Sequence, residues 1–188
     1  MVQAVFLDTS VMLDYLENRN QEVRDVIAQL LLLHKKGRIV LATSVFNVAE
    51  VIDKEFDIHF MGWCMNERMS FDEINARRKD EKLFREISEK NKNNVEKRIK
   101  EFIFKNEIML FTFSGDAPQY DELYNLIYQN QLQSQDALIV ATALANKATY
   151  FLSNDSNLIS KIEGMLNTYN LRNENRRKAF HNDVVEAI

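Results

Sequence analysis

The chain contains few of the residues that form disulfides and zinc sites. Its 188 residues include one cysteine, Cys64, and three scattered histidines: His34, His59 and His181. A single cysteine excludes an internal disulfide and favours a reducing compartment, so we expect a cytoplasmic protein. Zinc sites require several cysteine or histidine ligands at regular spacing, and the sequence offers no such set. We therefore assign the histidines to the surface or the core.

Proline, glycine and long apolar runs are also scarce. One proline and four glycines leave no linker-like stretch, so we expect a single domain, as is usual at this length. The longest aliphatic stretch, residues 27–33, is interrupted by Gln29 and is too short to cross a bilayer. The chain reaches Asp8 after one short apolar run, without a basic leader. We therefore expect neither a signal peptide nor a membrane partner.

Charge is moderately negative and unevenly distributed. The 28 acidic and 24 basic residues give a net charge of −4, which argues against a protein that coats nucleic acid indiscriminately. It does not exclude a nuclease, because bound cations would offset an acidic metal site. Residues 171–178 carry four basic side chains against Glu174: Arg172, Arg176, Arg177 and Lys178. This stretch is either a phosphate-contacting element or an ordinary solvated helix face or tail.

Short apolar segments alternate with helical patterns along the chain. Strands are predicted at residues 2–7, 38–42, 108–111 and 150–152, and helices at about 10–17, 21–36, from 44, 117–130, 135–147 and 156–164. This alternation predicts an α/β fold in three layers, with a central short parallel sheet and helices on both faces. Residues 53–106 read as an inserted helical segment. The basic C-terminal tail, 165–188, shows no convincing fifth strand.

Four acidic residues lie within or beside apolar runs, where an unpaired carboxylate is costly. Asp8 follows apolar residues 4–7, and Glu50 lies inside the largely apolar stretch 46–52. Asp136 precedes the apolar run that starts at Ala137, and Asp155 closes the segment that starts at Tyr150. No basic residue is comparably placed. The pattern therefore suggests a divalent cation as the shared partner of Asp8, Glu50, Asp136 and Asp155.

The predicted topology brings these acids together. Ligands of parallel sheets collect beyond the carboxyl ends of the strands, and right-handed crossovers carry the four acids to that edge. Mg²⁺ or Mn²⁺ would relieve their mutual repulsion. Three of the acids also have simpler explanations: Asp8 could cap a helix, Asp136 could interact with a helix dipole, and Asp155 could be a turn residue. Glu50, inside a helix among apolar neighbours, is the hardest to explain without a partner.

The same segments resemble the motifs of the PIN-domain nucleases. The sequence Phe6-Leu7-Asp8-Thr9-Ser10 is similar to the family's opening motif, and Ala49-Glu50 is similar to its second. Residues 134–143 are similar to its pattern of an aspartate before an apolar run, and 152–155 to its last motif. The resemblance covers about residues 2–163 and implies a single three-layer PIN-like domain.

The resemblance also implies an activity, a cofactor and partners. A PIN-like member would be a Mg²⁺- or Mn²⁺-dependent endoribonuclease that hydrolyses RNA through a metal-activated water. Many compact members are toxins of toxin–antitoxin pairs, so an antitoxin or other regulatory protein and a homodimer are expected partners. The implied metal ligands and catalytic residues are Asp8, Glu50, Asp136 and Asp155, with Ser10 and Ser153 as supporting hydroxyls.

Two alternatives stay open at this point. A haloacid-dehalogenase-like phosphatase also begins with a strand and an aspartate, but it needs a second acid two positions later, where this chain has Ser10. A degenerate PIN fold could instead serve as an RNA- or protein-binding scaffold, although such members tend to lose acids and all four are present. The aromatic and methionine-rich residues 56–65 fit either an interface or a core.

Overall fold

The computed structural model describes residues 2–185 and has an α/β architecture. Its strands are β1 (Gln3–Leu7), β2 (Ile39–Ser44), β3 (Met109–Phe111), β4 (Tyr150–Leu152) and β5 (Asn167–Tyr169). Its helices are α1 (Thr9–Leu16), α2 (Gln21–Lys35), α3 (Val45–Asn66), α4 (Phe71–Arg78), α5 (Glu81–Ile99), α6 (Ala117–Tyr128), α7 (Ser134–Ala145), α8 (Ser156–Lys161) and α9 (Glu174–Phe180). Two π-helical segments, Lys100–Phe104 and His181–Val185, continue α5 and α9.

The five strands form one parallel sheet in the order β3-β2-β1-β4-β5. The strand order reverses beside β1, because the chain first builds outward through β2 and β3 and then returns to place β4 on the other side. A crevice at the carboxyl ends of the strands is expected where such a reversal occurs. Asp8, the residue after β1, donates its backbone N–H to the Leu152 carbonyl at 2.9 Å, so the β1–β4 pairing extends into this crevice.

Alternating side chains of the central strands face two separate apolar layers. Val5 and Leu7 pack with α1, α2, α3 and α5, whereas Phe6 packs with α6, α7 and α8 on the other face. The ring of Phe6 stacks on that of Phe151 with centroids 5.3 Å apart. Because both faces are covered, the central strands β1, β2 and β4 are largely apolar, as parallel strands usually are. The predicted three-layer α/β fold is confirmed.

Residues 53–106 are almost entirely helical. They comprise the rest of α3, then α4, α5 and the π-helical segment Lys100–Phe104. Within residues 56–65, the side chains of Phe60 and Cys64 are buried against Ile87, while those of Met61 and Met65 are exposed. The core interpretation of this stretch therefore holds for one side of α3, and the other side is accessible. That residues 53–106 are an insertion in a single PIN-like domain stays our interpretation.

The expectation that no strand follows Gly164 is wrong. β5 pairs with β4 in parallel, with Phe151 opposite Thr168. The sequence Asn-Thr-Tyr has no apolar run, because an edge strand needs only one hydrogen-bonded neighbour and one covered face. Tyr169 supplies that contact by packing on Tyr150 and Phe180. The basic stretch that follows forms α9, and within residues 2–185 no helix has the length and apolarity needed to cross a membrane.

A buried cluster of charged residues joins α1, α3 and α5. Glu55 on α3 is 1% exposed, and its Oε2 accepts a hydrogen bond from Arg98 Nη1 at 3.0 Å. The same guanidinium contacts the Glu17 carboxylate at 2.5 Å. Burial, together with the neighbouring Glu17 carboxylate, raises the pKa of Glu55 from 4.5 to about 7, although Arg98 opposes the shift. Glu55 is therefore largely protonated in mildly acidic solution.

We predict that this cluster makes the folded state less stable as the pH rises. Since the folded pKa of Glu55 exceeds the unfolded value of 4.5, its stabilising contribution is complete below pH 4.5 and is lost as the pH passes about 7. Glu55→Gln, which mimics the protonated acid, should remove this dependence. The free energy of unfolding is measured with urea at a mildly acidic and a mildly alkaline pH. Between the two, the wild type should lose on the order of 2 kcal/mol more than the variant does. Glu86→Gln, at an exposed position, is the control; parallel pH profiles for wild type and Glu55→Gln would contradict the prediction.

Candidate active site

The four acids found in the sequence line one cavity. Asp8 directly follows β1, Glu50 lies in the second turn of α3, Asp136 lies in the first turn of α7, and Asp155 immediately precedes α8. All four border a cavity of about 640 Å³ at the carboxyl edge of the sheet. The expectation that they share one edge therefore holds geometrically, while their chemical roles stay a prediction.

Asp8 is a buried carboxylate held by neutral donors. It is 5% exposed, and its Oδ2 accepts hydrogen bonds from Ser10 Oγ and Ser153 Oγ, each at 2.7 Å. Burial raises the pKa of Asp8 above 3.8, and the bonds from Ser10 and Ser153 oppose this rise. Asp8 occupies the N-cap position of α1, but its side chain forms no capping hydrogen bond. The Asp8 carboxylate therefore does not cap α1, so the capping explanation is wrong, and Asp8 borders the acidic cavity instead.

Glu50 is oriented by a chain of buried polar side chains. Its Oε2 accepts a hydrogen bond from Thr9 Oγ1 at 2.7 Å, and the Thr9 oxygen accepts from Asn47 Nδ2 at 3.1 Å. Asn47 Nδ2 also lies 3.3 Å from Asp8 Oδ1. The amide group of Asn47 is itself fixed, since its Oδ1 accepts from Ser44 Oγ at 2.5 Å. One amide thus ties the start of α3 to both carboxylates.

Asp136 experiences the charge of the other three acids. It is partly buried, and its pKa is raised above 3.8 first by burial and then by repulsion from Asp8, Asp155 and Glu50. Lys161, on α8, partly offsets that repulsion. The position in the first turn of α7 also favours a carboxylate through the helix dipole. Asp136 therefore interacts favourably with the dipole of α7 and also lies close enough to the other three acids to be affected by their charge.

Asp155 has a structural role that the sequence pattern also allowed. Its Oδ1 accepts hydrogen bonds from the backbone N–H groups of Asn157 at 2.8 Å and Leu158 at 3.0 Å, so it caps α8. The residue is exposed, and it borders the acidic cavity. Both capping hydrogen bonds use the same oxygen, Oδ1. Asp155 can therefore cap α8 and still border the acidic cavity.

The donor set suits a hard divalent cation. Every candidate ligand is a carboxylate or hydroxyl oxygen, the type that Mg²⁺ and Mn²⁺ prefer. Burial and, after it, repulsion from the other acids raise the pKa of Asp136, and a cation would relieve that repulsion. Within residues 2–185, however, no three acidic, histidine or cysteine side chains are arranged closely enough to form a ready-made cation site. The chemistry of the donors therefore fits the ion, and tight coordination would require the side chains to approach one another.

Four residues of the surroundings were missed in the sequence as site residues: Thr9, Asp14, Asn47 and Asn154. Arg172 was named only as part of the basic stretch 171–178, and it borders the acidic cavity. Asp14 is 0% exposed, and Arg172 contacts both of its oxygens, Nε with Oδ2 at 2.7 Å and Nη2 with Oδ1 at 2.5 Å. Asn154 donates from Nδ2 to Asp14 Oδ2 at 2.9 Å and from its backbone N–H to Ser10 Oγ at 2.9 Å. The C-terminal segment is thereby connected to the hydroxyl that supports Asp8.

A signal for some of these residues was present in the sequence. Asp14 interrupts the apolar run Val11-Met12-Leu13 before Tyr15, which is the same pattern that identified Glu50. Asn47 stands three residues after the helix-starting Ser44, a spacing at which helix-start side chains commonly pair. The pairing of Asp14 with Arg172 had no signal, since the two residues are 158 positions apart.

The cavity continues beyond the acids along the exposed side of α3. Lys54, Ile58, Met61 and Met65 follow Glu50 at helical spacing and line it, opposite Leu13. Arg19, from the loop after α1, and Arg172 also border it. The lining of the cavity therefore combines carboxylates with cationic and apolar side chains. Such a combination suits a ligand that carries both phosphate and apolar groups.

Comparison with known families identifies the class of protein. Residues 5–164 match the PIN domain. Because this match covers most of the chain, the protein belongs to the PIN-domain family, and the resemblance of the motifs is confirmed. Members of this family are generally nucleases, so the class of activity is a nuclease and the class of partner is a nucleic acid. A comparison with individually curated proteins gives no significant match.

Family membership argues against the phosphatase alternative. The haloacid-dehalogenase-like phosphatase is not supported, because the chain is a PIN domain. At the position where such a phosphatase needs its second acid, the hydroxyl of Ser10 donates a hydrogen bond to Asp8. Ser10 and Ser153 are thus both placed to support Asp8.

We predict that Arg172 stabilises the fold by compensating the buried charge of Asp14. Arg172→Met should lower the free energy of unfolding by about 2 kcal/mol or more. Breaking a fully buried ion pair costs about 3–5 kcal/mol, and the smaller loss is expected here because the Arg172 side chain is 49% exposed. Urea unfolding measures the loss. Adding Asp14→Asn to Arg172→Met should recover part of it, because no unpaired charge is then buried. Arg176→Met, at an exposed position in α9, is the matched control; equal stabilities of the two methionine variants would refute the assignment.

Proposed function

We propose that the protein is a divalent-metal-dependent endoribonuclease that hydrolyses phosphodiester bonds of RNA. The observation that supports this most directly is the convergence of four carboxylates on one cavity at the strand-order reversal of a PIN fold. Two of them, Asp8 and Glu50, are held by neutral donors, so their negative charge remains available to a cation. In our proposal Asp8, Glu50, Asp136 and Asp155 hold Mg²⁺ or Mn²⁺.

The bound cation would supply Lewis acidity and an acidified water for attack at phosphorus. The chain's own residues would prepare the site for that chemistry. Ser10 and Ser153 orient the Asp8 carboxylate, and Thr9 orients Glu50, which would limit the rearrangement that these two acids need when the cation and the RNA bind. Lys54 and Arg19 border the acids and would bind the phosphates next to the scissile one.

The apolar side of the cavity would accommodate a nucleobase. Ile58, Met61 and Met65 line it beyond Lys54, and methionine side chains adapt well to flat aromatic ligands. A base can reach such a surface only when it is not paired within a duplex, which favours single-stranded or looped RNA. This arrangement supports RNA cleavage at unpaired positions and leaves the sequence preference undefined.

The expected partners extend the proposal. We propose an antitoxin or another regulatory protein, and a homodimer, on the basis of the family resemblance alone. The scaffold alternative remains the main competitor, and the site argues against it because the four acids are kept together with their supporting hydroxyls. A cytoplasmic location, proposed from the single cysteine, is consistent with an RNA substrate.

Cleavage assays should show an activity that depends on the cation and on Asp136. Wild-type protein with Mn²⁺ or Mg²⁺ should cut labelled single-stranded RNAs, and EDTA should abolish cutting. Asp136→Asn should reduce the rate at least about 100-fold, equivalent to about 3 kcal/mol of transition-state stabilisation. The matched control is Asp121→Asn, an exposed aspartate on α6 outside the cavity, which should retain activity.

Thermal unfolding provides a test that does not depend on finding the right RNA. Mn²⁺ at about 100 times its dissociation constant should stabilise the wild type by about 2.7 kcal/mol, which raises the melting temperature by roughly 5–10 °C for a chain of this size. Asp136→Asn should show a much smaller rise. If the cation neither stabilises the wild type nor supports cleavage, the scaffold alternative is correct.

A further inference from the structure

A second cavity, separate from the acidic one, is lined mainly by basic and polar side chains. It measures about 490 Å³ and lies where the ends of α1 and α2 meet the end of α5. Its charged lining consists of four cations and one acid: Arg24, Lys35, Arg98, Lys105 and Glu101. In a chain with a net charge of −4, such a local excess of positive charge marks a surface for an anionic ligand.

Three of the four cations have no anionic partner among residues 2–185. Arg98 is committed to Glu17 and Glu55. Arg24, Lys35 and Lys105, by contrast, form no ion pair in the described part of the protein. Their charges are therefore available to a ligand.

Arg24 is held ready for such a ligand. Its guanidinium lies over the ring of Tyr15, 5.9 Å from the centroid, a cation–π contact that limits the motion of the side chain. Its Nε atom is buried and has no hydrogen-bond partner among the described residues. Its Nη1 atom donates only a long hydrogen bond, of 3.4 Å, to Gln21 Oε1. Because buried donors are usually satisfied in folded proteins, the guanidinium retains the capacity to bind a ligand oxygen.

The basic cavity lies next to the proposed catalytic one. The loop 17–20 contributes Arg19 to the acidic cavity and Asn18 to the basic cavity, so the two lie on either side of one short loop. Helix α1 connects them as well, with Ser10 in the first and Leu16 in the second. The lysines of the basic cavity lie farther from the acids, because Lys35 and Lys105 stand just before β2 and β3, near the amino edge of the sheet. The six residues of β2 span roughly 20 Å at about 3.3 Å each, which is the length of about six nucleotides at about 3.4 Å each.

We infer that the basic cavity binds the phosphate backbone of the nucleic acid several nucleotides away from the bond at the acidic site. The inference rests on the proposed nuclease function and adds a second contact to it. A strand that leaves the acidic cavity past Arg19 would cross the loop 17–20 and reach Arg24, Lys35 and Lys105. The negatively charged catalytic site would thereby gain affinity for its anionic substrate from cations placed outside it.

An acidic segment of a partner protein is the main competing ligand for this surface. The structure favours nucleic acid, because the basic cavity adjoins a cavity whose proposed ligand is already a phosphodiester. A partner protein would require no particular distance from the acids.

Binding of RNA to a double variant tests the inference. Lys35→Gln/Lys105→Gln removes two exposed lysines of the cavity, and Lys90→Gln/Lys97→Gln removes two exposed lysines that line neither cavity. Both are made in an Asp136→Asn background with Mg²⁺, so that the probe stays intact. The probes are fluorescein-labelled single-stranded RNAs of about 20 and about 4 nucleotides, and anisotropy is measured between about 50 and 200 mM salt.

The long RNA should bind the cavity variant at least about fivefold more weakly than the control at the lower salt concentration. Its slope of log affinity against log salt should be smaller by about 1.4, or about 0.7 per lost phosphate contact. The short RNA should bind both proteins alike, because it cannot reach both cavities. Unchanged melting temperatures confirm that both double variants are folded. If Lys35→Gln/Lys105→Gln is destabilised, Lys35→Gln alone replaces it, and half of the change in slope is then expected.

The remaining outcomes separate the two proposals. If the long RNA binds the cavity variant and the control equally, the inference is wrong and the nuclease proposal stands. If no protein binds either RNA, the inference fails, and the nuclease proposal is decided separately by cation-dependent cleavage and stabilisation of the wild type. If a glutamate-rich peptide binds more tightly than RNA and loses affinity only in the cavity variant, the surface belongs to an acidic protein partner instead.

Discussion

The hydrogen bonds from Ser10 and Ser153 to one oxygen of Asp8 organise the candidate site. They join the end of β1 to the end of β4 at the point where the strand order reverses. Both donors are neutral, so they lower the cost of burying the carboxylate without cancelling its charge. The rest of the site is arranged around a carboxylate that forms no ion pair within residues 2–185.

A contrast between two kinds of buried acid supports this view. Asp14 and Glu55 are as deeply buried as Asp8, but each is paired with an arginine, Arg172 or Arg98. The chain therefore does supply cations to buried carboxylates where they serve the fold. Asp8 and Glu50 receive hydroxyl and amide donors instead. Because the difference is consistent, the unpaired acids point to a cation or another ligand from outside the chain.

The sequence allowed much of the architecture and the four acids to be predicted, because both depend on local pattern. Apolar strands and capped helices are read from neighbouring residues, and an acid inside an apolar run is conspicuous. β5 was not predictable, since its three residues acquire their conformation from β4 and from Tyr169 packing on Phe180. The partnership of Arg172 with Asp14 likewise depends on a fold that joins residues 158 positions apart. That Asp8 does not cap α1 could be seen only from the direction of its side chain.

Helix α3 shows why a single element can both support the fold and shape the site. Val51, Glu55, Phe60 and Cys64 are buried, whereas Glu50, Lys54, Ile58, Met61 and Met65 border the acidic cavity. The two sets follow the 3.6-residue period of one helix on different sides. Packing of the buried side therefore determines the direction of the cavity side. Glu55 follows Lys54, which borders the acidic cavity, and contacts Arg98, which lines the basic cavity, so the buried side of α3 links residues of the two cavities.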